Sequence, residues 1–264
     1  MNRSIKLKDG KKVYFASDFH LGAPDHLSSL AREKKIIAWL DEIKKDAQLI
    51  FLMGDLFDFW FEYKSVVPKG FVRFLGKIAE LSDAGIEIKI FTGNHDMWMT
   101  DYFQKELGAE VFFDTVQYQM GEKAFFLGHG DGLGPGDHGY KFLKKVFKNR
   151  VARFLFGRVM HPNLGQFLGN TWSLNSWKKN RANDTVKAFE NGDKELLYSY
   201  CKQLQAEGKL FDYYIFGHRH CKLDLPLEHG ARYINIGDWI VFDSYAVFDG
   251  KQLELKVFNK LTAI

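Results

Sequence analysis

Short apolar runs in this chain stop abruptly at polar residues, and stretches of helical period lie between them. Residues 13–17 (VYFAS), 49–53 (LIFLM), 86–92, 123–127 and 213–216 (YYIF) predict strands. LIFLM is apolar throughout, as expected of a strand covered on both faces. Leu30, Ile36, Ile37, Leu40 and Ile43 recur at helical spacing and predict a helix over 28–45. A second helix is predicted over 71–81, stopping before Asp83-Ala84-Gly85, a third over 97–107, and a fourth over 184–207, interrupted at Gly192. Residues 111–119 read as one strand, and others follow at 222–227, 233–236, 240–248 and 252–258, with Asp249-Gly250 as a hairpin turn. Strand and helix alternate in the first half; the second half is mostly strand. The pattern predicts an α/β fold built on a mixed sheet or two packed sheets.

Composition adds a core, and charge adds a boundary. The 264 residues are 46% hydrophobic and 16% aromatic, enough for one large domain with an insertion or for two small ones. No apolar run approaches the roughly 18 residues of a transmembrane helix. The N-terminal MNRSIKLKDGKK lacks the apolar stretch of a signal peptide. Cys201 and Cys221 offer no disulfide framework, so a reducing cytoplasm is expected. Of 37 Lys and Arg, ten fall between 138 and 183, where there is no Asp or Glu, leaving 27 bases against 33 acids elsewhere. A mildly acidic body, 1–137 and 184–264, thus carries a basic insert, 138–183, and the insert calls for an anionic partner.

The polar residues at the strand ends share one chemistry. VYFASDFH ends in Asp18 and His20, LIFLMGD in Asp55, and IKIFTGNHD in Asn94, His95 and Asp96. AFFLGHGD ends in His129 and Asp131, and YYIFGHRH in His218 and His220. Loops beyond the carboxyl ends of parallel strands form the ligand crevice of α/β folds. One Gly-Asp or Gly-His after a strand reads as a turn. Five such ends, holding five of the nine histidines, read as a ligand set. Imidazole and carboxylate together suit Mn, Fe, Zn or Co better than Mg or Ca. A bridging carboxylate such as Asp55 lets seven ligands serve two ions. Two ions about 3.5–4 Å apart clamp an in-line phosphoryl displacement and acidify a shared water.

The motifs D-x-H, G-D, G-N-H-D, G-H and G-H-x-H, in that order from Asp18 to His220, resemble the calcineurin-like metallophosphoesterase family. The resemblance implies an αββα sandwich of two mixed sheets with a dinuclear centre. It assigns Asp18, His20, Asp55 and His220 to one ion and Asp55, Asn94, His129 and His218 to the other. GDLFDFW, HGDGLGPGDHGYKF and GDWIVFDSY are similar to the UDP-2,3-diacylglucosamine diphosphatase family of lipid A synthesis. That likeness implies pyrophosphate cleavage to UMP and 2,3-diacylglucosamine 1-phosphate, two ions expected to be Mn²⁺, and a helical cap in the position of the basic insert. It also implies substrate contacts at Asp137, Tyr140, Ser176 and Asn180. The diphosphatase pattern has Arg directly after the metal-binding Asn, whereas this chain has His95, with Asp96 beside it as the expected orienting carboxylate. An Arg is a permanent cation; a His is one only when protonated, but it can also deliver a proton to a leaving oxygen.

In the insert, YKFLKKVFKNRVARFLF (140–156) sets Phe142, Leu143, Val146, Phe147, Val151, Phe154 and Leu155 at helical spacing among six bases. A basic amphipathic helix of this kind can lie on an anionic membrane. A lipid-linked nucleotide sugar answers both its cations and its phenylalanines. The expected location is therefore cytoplasmic, peripheral on the inner face of the inner membrane. Nucleic acid is disfavoured by the bulky apolar face and the absence of a recognition motif. The alternatives are a soluble metallophosphodiesterase acting on nucleotides, nucleic acid or other small phosphoesters, and a silent scaffold, against which the full ligand set argues.

Overall fold

The computed structural model describes residues 3–134, 141, 144, 149, 154, 161–165, 167, 169, 171 and 195–259, and among these two 6-stranded mixed sheets form the centre. The first sheet runs β12 (Leu253–Val257), β11 (Ser244–Phe248), β2 (Lys12–Ala16), β3 (Ala47–Leu52), β4 (Glu87–Phe91), β5 (Glu110–Phe112). Its strands β2 to β5 are parallel, and β11 is antiparallel to both neighbours. The second runs β1 (Arg3–Ile5), β6 (Val116–Met120), β7 (Lys123–Leu127), β8 (Tyr213–Phe216), β10 (Arg232–Ile236), β9 (Lys222–Pro226), with β7, β8 and β10 parallel.

Strand alternation divides the apolar residues into layers. Phe15, Leu49, Phe51, Phe125, Leu127, Ile215 and Ile234 fill the space between the sheets, where Phe15 and Phe51 stack at 5.1 Å. The other face of β2–β4, with Tyr14, Ile50, Leu52 and Ile88, takes α1 (His26–Ile43), α2 (Val72–Asp83) and α3 (Tyr102–Lys105) through Trp39, Leu40, Phe74, Ile78 and Phe103. The outer face of the second sheet takes α4 (Leu196–Ala206) through Leu197, Cys201 and Leu204. The result is the expected αββα sandwich, and LIFLM is buried on both faces. Each fully buried Phe or Leu contributes about 1.5–3 kcal/mol by leaving water.

Three predicted elements differ from the structure. The helix expected over 97–107 is only α3, because the chain first runs extended to pair Trp98 with Phe61. Glu62 then accepts the N–H groups of Thr100 (2.7 Å), Asp101 (2.9 Å) and Tyr102 (3.2 Å), so the helix starts late. Residues 111–119 form two strands: β5 belongs to the first sheet and β6 to the second, so this segment carries the chain between them. Residues 240–242 make a turn on the Asp238 carboxylate, which accepts all three N–H groups, and the strand begins only at Ser244. Of the helix expected over 184–207, α4 falls within the described residues.

Glu62 is buried and gathers five donors, including the Trp60 indole at 3.2 Å. Glu62→Gln replaces a charged acceptor by an amide and is expected to lower unfolding stability by about 2 kcal/mol. Urea denaturation reads this directly; an unchanged midpoint would contradict the role given to this residue.

Candidate metal centre

Strands β2, β3 and β4 of one sheet and β7 and β8 of the other deliver their carboxyl ends to one edge of the sandwich. The backbone turns sharply there. Asp18, His20, Asp55, His218 and His220 all have left-handed φ, between 42° and 66°. Non-glycine residues held in this region cost on the order of 1–3 kcal/mol each, and such strain gathers at functional sites. The turns are laced together: Asp18 N–H donates to Gly54 O (3.0 Å), His20 N–H to Asp55 O (2.9 Å) and Gly217 N–H to His129 O (2.9 Å). The buried Arg32 guanidinium clamps the first loop through Phe19 O (3.0 Å), His20 O (2.7 Å) and Ala23 O (3.0 Å). The glycines are there for space: a Cβ on Gly93 would land on the Asp55 carboxylate, and one on Gly217 on Ser17 and Asp18.

Asp55 is central. Its Oδ1 accepts the His95 N–H at 2.9 Å, which turns Oδ2 toward His129 Nε2 (3.3 Å) on one side and His20 Nε2 (3.8 Å) on the other. Asp18 Oδ1 lies 3.4 Å from His220 Nε2 and 3.7 Å from His20 Nε2, while its Oδ2 accepts the His218 N–H at 3.0 Å. Asn94 Oδ1 sits 2.9 Å from His218 Nδ1 and 3.4 Å from His129 Nε2. Ligand atoms of Asp18, His20 and His220 fall within 4.8 Å of one another, as do those of Asp55, His129 and His218, and of His20, Asp55 and His95. Three imidazoles turn Nδ1 away from this centre and Nε2 into it. His129 Nδ1 donates to Met53 O (2.8 Å), His220 Nδ1 to Asp238 Oδ2 (3.0 Å), and His20 Nδ1 faces Asp58 Oδ1 (3.5 Å). Fixing one ring nitrogen on a carbonyl or carboxylate is how proteins aim the other at a metal.

Charge in the site is tightly packed. Burial raises the Asp18 carboxyl, but His220, His20 and His129 outweigh it and hold the group down at about 2. Burial lowers His129, and Asp55 beside it more than reverses this, to about 10. Burial and then His129 lower His218 to about 4. Asp18 Oδ1 and His20 Nε2 are buried without a hydrogen-bond partner. Buried polar atoms of this kind need a partner, and oxygen and imidazole donors converging on them fit divalent transition ions.

His95 and Asp96 come to the same loop but not to each other's side chains. Asp96 Oδ1 accepts the Gly93 N–H (2.7 Å) and Oδ2 those of Leu56 (2.7 Å) and Phe57 (3.4 Å), so this carboxylate ties the β3 and β4 loops together. Burial, and then the Asp55 charge, push it up to about 7. Beside the His95 ring lies Asp58, whose carbonyl is 2.9 Å from Nδ1. A carbonyl only accepts, so Nδ1 carries the proton. Asp58 and Asp238 were missed as site residues. YINIGD repeats the strand-then-Gly-Asp signal and would have found Asp238; Asp58, three residues after Asp55, has no such mark. Asp137, Tyr140, Ser176 and Asn180 lie outside the described residues.

A family model for calcineurin-like phosphoesterase matches residues 11–222. The chain is 42% identical over 254 residues to a UDP-2,3-diacylglucosamine hydrolase of Porphyromonas gingivalis, covering 93% of this chain and 97% of that protein. A protein of the same name from Aeromonas hydrophila is 26% identical, covering 85% of this chain and 89% of the relative. A solved phosphoesterase from E. coli, YfcE, aligns with a TM-score of 0.46 at 16% identity over 94% of this chain and 93% of that one. With the family match spanning most of the chain and the His and Asp groups clustered as described, the chain belongs to the calcineurin-like phosphoesterase family of dimetal hydrolases.

Proposed function

We propose that the protein hydrolyses the pyrophosphate bond of UDP-2,3-diacylglucosamine with two manganese ions, releasing UMP and 2,3-diacylglucosamine 1-phosphate in lipid A assembly. The observation that carries this reading is the likeness to the P. gingivalis hydrolase over nearly the whole of both chains. Asp18, His20, Asp55 and His220 would hold one ion, and Asp55, Asn94, His129 and His218 the other, with Asp55 common to both sets. The grouping of donors within 4.8 Å supports this division. When bound, the pair supplies Lewis-acid polarisation of phosphoryl oxygens and a water acidic enough to ionise near neutral pH.

The chain's own residues position and neutralise. Asp58 O holds the Nδ1–H of His95 and so fixes the ring, leaving Nε2 as the nitrogen that meets a phosphoryl or leaving oxygen; it donates there only in the imidazolium form. Asp238 and Met53 O keep His220 and His129 in register. The insert 138–183 is the cap: its phenylalanines take the acyl chains, its bases meet an anionic membrane at about 1 kcal/mol each, and Asp137, Tyr140, Ser176 and Asn180 contact the substrate. Within the described part of the insert, Lys144 Nζ pairs with the buried Asp131 Oδ2 at 2.6 Å, and Phe154 and Phe167 are exposed, which supports a cap anchored beside His129. Among the described residues no helix is long and apolar enough to cross a membrane, so a surface contact is the form of association proposed. The second reading, a phosphodiesterase on smaller esters, is favoured by His95 at the position of the diphosphatase Arg.

Two outcomes are expected. Manganese-loaded protein incubated with UDP-2,3-diacylglucosamine releases UMP, and kcat/KM exceeds that for bis(p-nitrophenyl) phosphate by about a hundredfold or more; absence of UMP would refute the substrate, and the reverse preference would favour the second reading. Asp238→Asn, which removes a charged partner of His220, weakens manganese binding by about 10–100-fold in calorimetric titration; unchanged affinity would remove Asp238 from the centre.

A further inference from the structure

We propose that a cleft beside the metal centre binds the pyrimidine base of the substrate and that Glu33 selects uracil; the inference rests on the UDP-sugar reading above. The cleft, of about 350 Å³, lies between the first turns of α1 and the 69–71 turn that precedes α2. That volume is in the range of small-molecule sites, roughly 300–1,000 Å³. Asp58 joins the cleft to the centre: it lines the cleft, its Oδ1 is 3.5 Å from His20 Nδ1, and its carbonyl holds His95. A ligand with its phosphates on the metal ligands therefore has a cavity one residue away for its next substituent. Phe59, on the cleft wall, also lies against Gly169 of the insert, so the cleft sits where body and insert meet.

The lining says which substituent. Leu30, Phe59 and Phe71 supply apolar and aromatic wall, and Lys69 is exposed at the edge with no ion pair among the described residues. Phe71 holds a left-handed φ of 56° directly before α2, a strained placement of an aromatic side chain against a cavity. Glu33 is 4% exposed. Its Oε1 accepts the Phe74 N–H at 2.9 Å, and its Oε2 has no hydrogen-bond partner among the described residues. A carboxylate oxygen that opens only onto a confined cleft is best met by a donor, and an alkyl chain placed there would strip its water and leave it without one. Uracil fits: N3–H donates to Glu33, a flanking carbonyl accepts from Lys69, and the ring faces meet the aromatic wall. Cytosine presents a lone pair at N3 and opposes the carboxylate.

Calorimetric titration of UMP and CMP into the manganese-loaded full-length chain tests this. The wild type is expected to prefer UMP by about tenfold. Glu33→Gln keeps a carbonyl oxygen for the Phe74 N–H and turns an NH₂ donor to the cleft, so CMP should then bind at least as tightly as UMP. Both nucleotides are measured on the same sample, so partial unfolding changes neither ratio. Failure of the wild type to bind UMP, equal binding of both, or a UMP preference that survives Glu33→Gln overturns the proposal. UMP release from the lipid substrate, run in parallel, separates the two readings. No cleavage with the nucleotide preference and its reversal intact defeats the substrate reading alone. Cleavage with a preference indifferent to Glu33 defeats the cleft alone.

Discussion

Asp18 and Asp55 are carboxylates withdrawn from water at the junction of two sheets, and the surrounding structure is arranged to satisfy them. A buried carboxylate without partners is too costly to keep ionised. Here five imidazoles and the backbone N–H groups of His95 and His218 converge on the two, and the charges they share drive His129 up and Asp18 down. Even so, Asp18 Oδ1 and His20 Nε2 lack hydrogen-bond partners. Divalent cations answer that need more fully than protons do, which is the physical content of membership in a dimetal family.

The fold supplies this arrangement by ending parallel strands from both sheets at one edge and turning the chain after β2, β3 and β8 through left-handed residues. That strain persists because neighbouring turns are cross-bonded, Arg32 clamps one loop and Asp96 ties two others. The sandwich is therefore more than a platform. Its interior apolar packing, with Phe15 on Phe51 at the base of the ligand-bearing loops, holds five turns within hydrogen-bond distance of one another.

Much of this was legible along the chain. Apolar runs such as LIFLM announced buried strands, and each ended in a ligand type, so the seven residues from Asp18 to His220 stood out before any coordinates. What escaped depends on contacts remote in sequence. Residues 97–101 have helical character, yet Glu62, 38 positions before Thr100, takes the N–H groups of Thr100, Asp101 and Tyr102, and Phe61 pairs with Trp98. The switch between sheets at 113–115 leaves no mark in a run of alternating residues. Asp96 looked like the partner of its neighbour His95, but adjacent side chains in a turn point apart, and the contact falls to Asp58 instead. The cleft at Glu33 was invisible because α1 and the 69–71 turn are brought together only by the fold.

A two-ion centre shared through Asp55 is what the site residues are arranged to build. Metal analysis of the full-length chain after loading with excess manganese and desalting tests it most directly, alongside Asp55→Asn, which keeps the side-chain volume and removes the charge. Two ions per chain are expected in the wild type and fewer than one in the variant, because both sites lose their common ligand. Two ions retained by Asp55→Asn, or no more than one bound by the wild type, would contradict it.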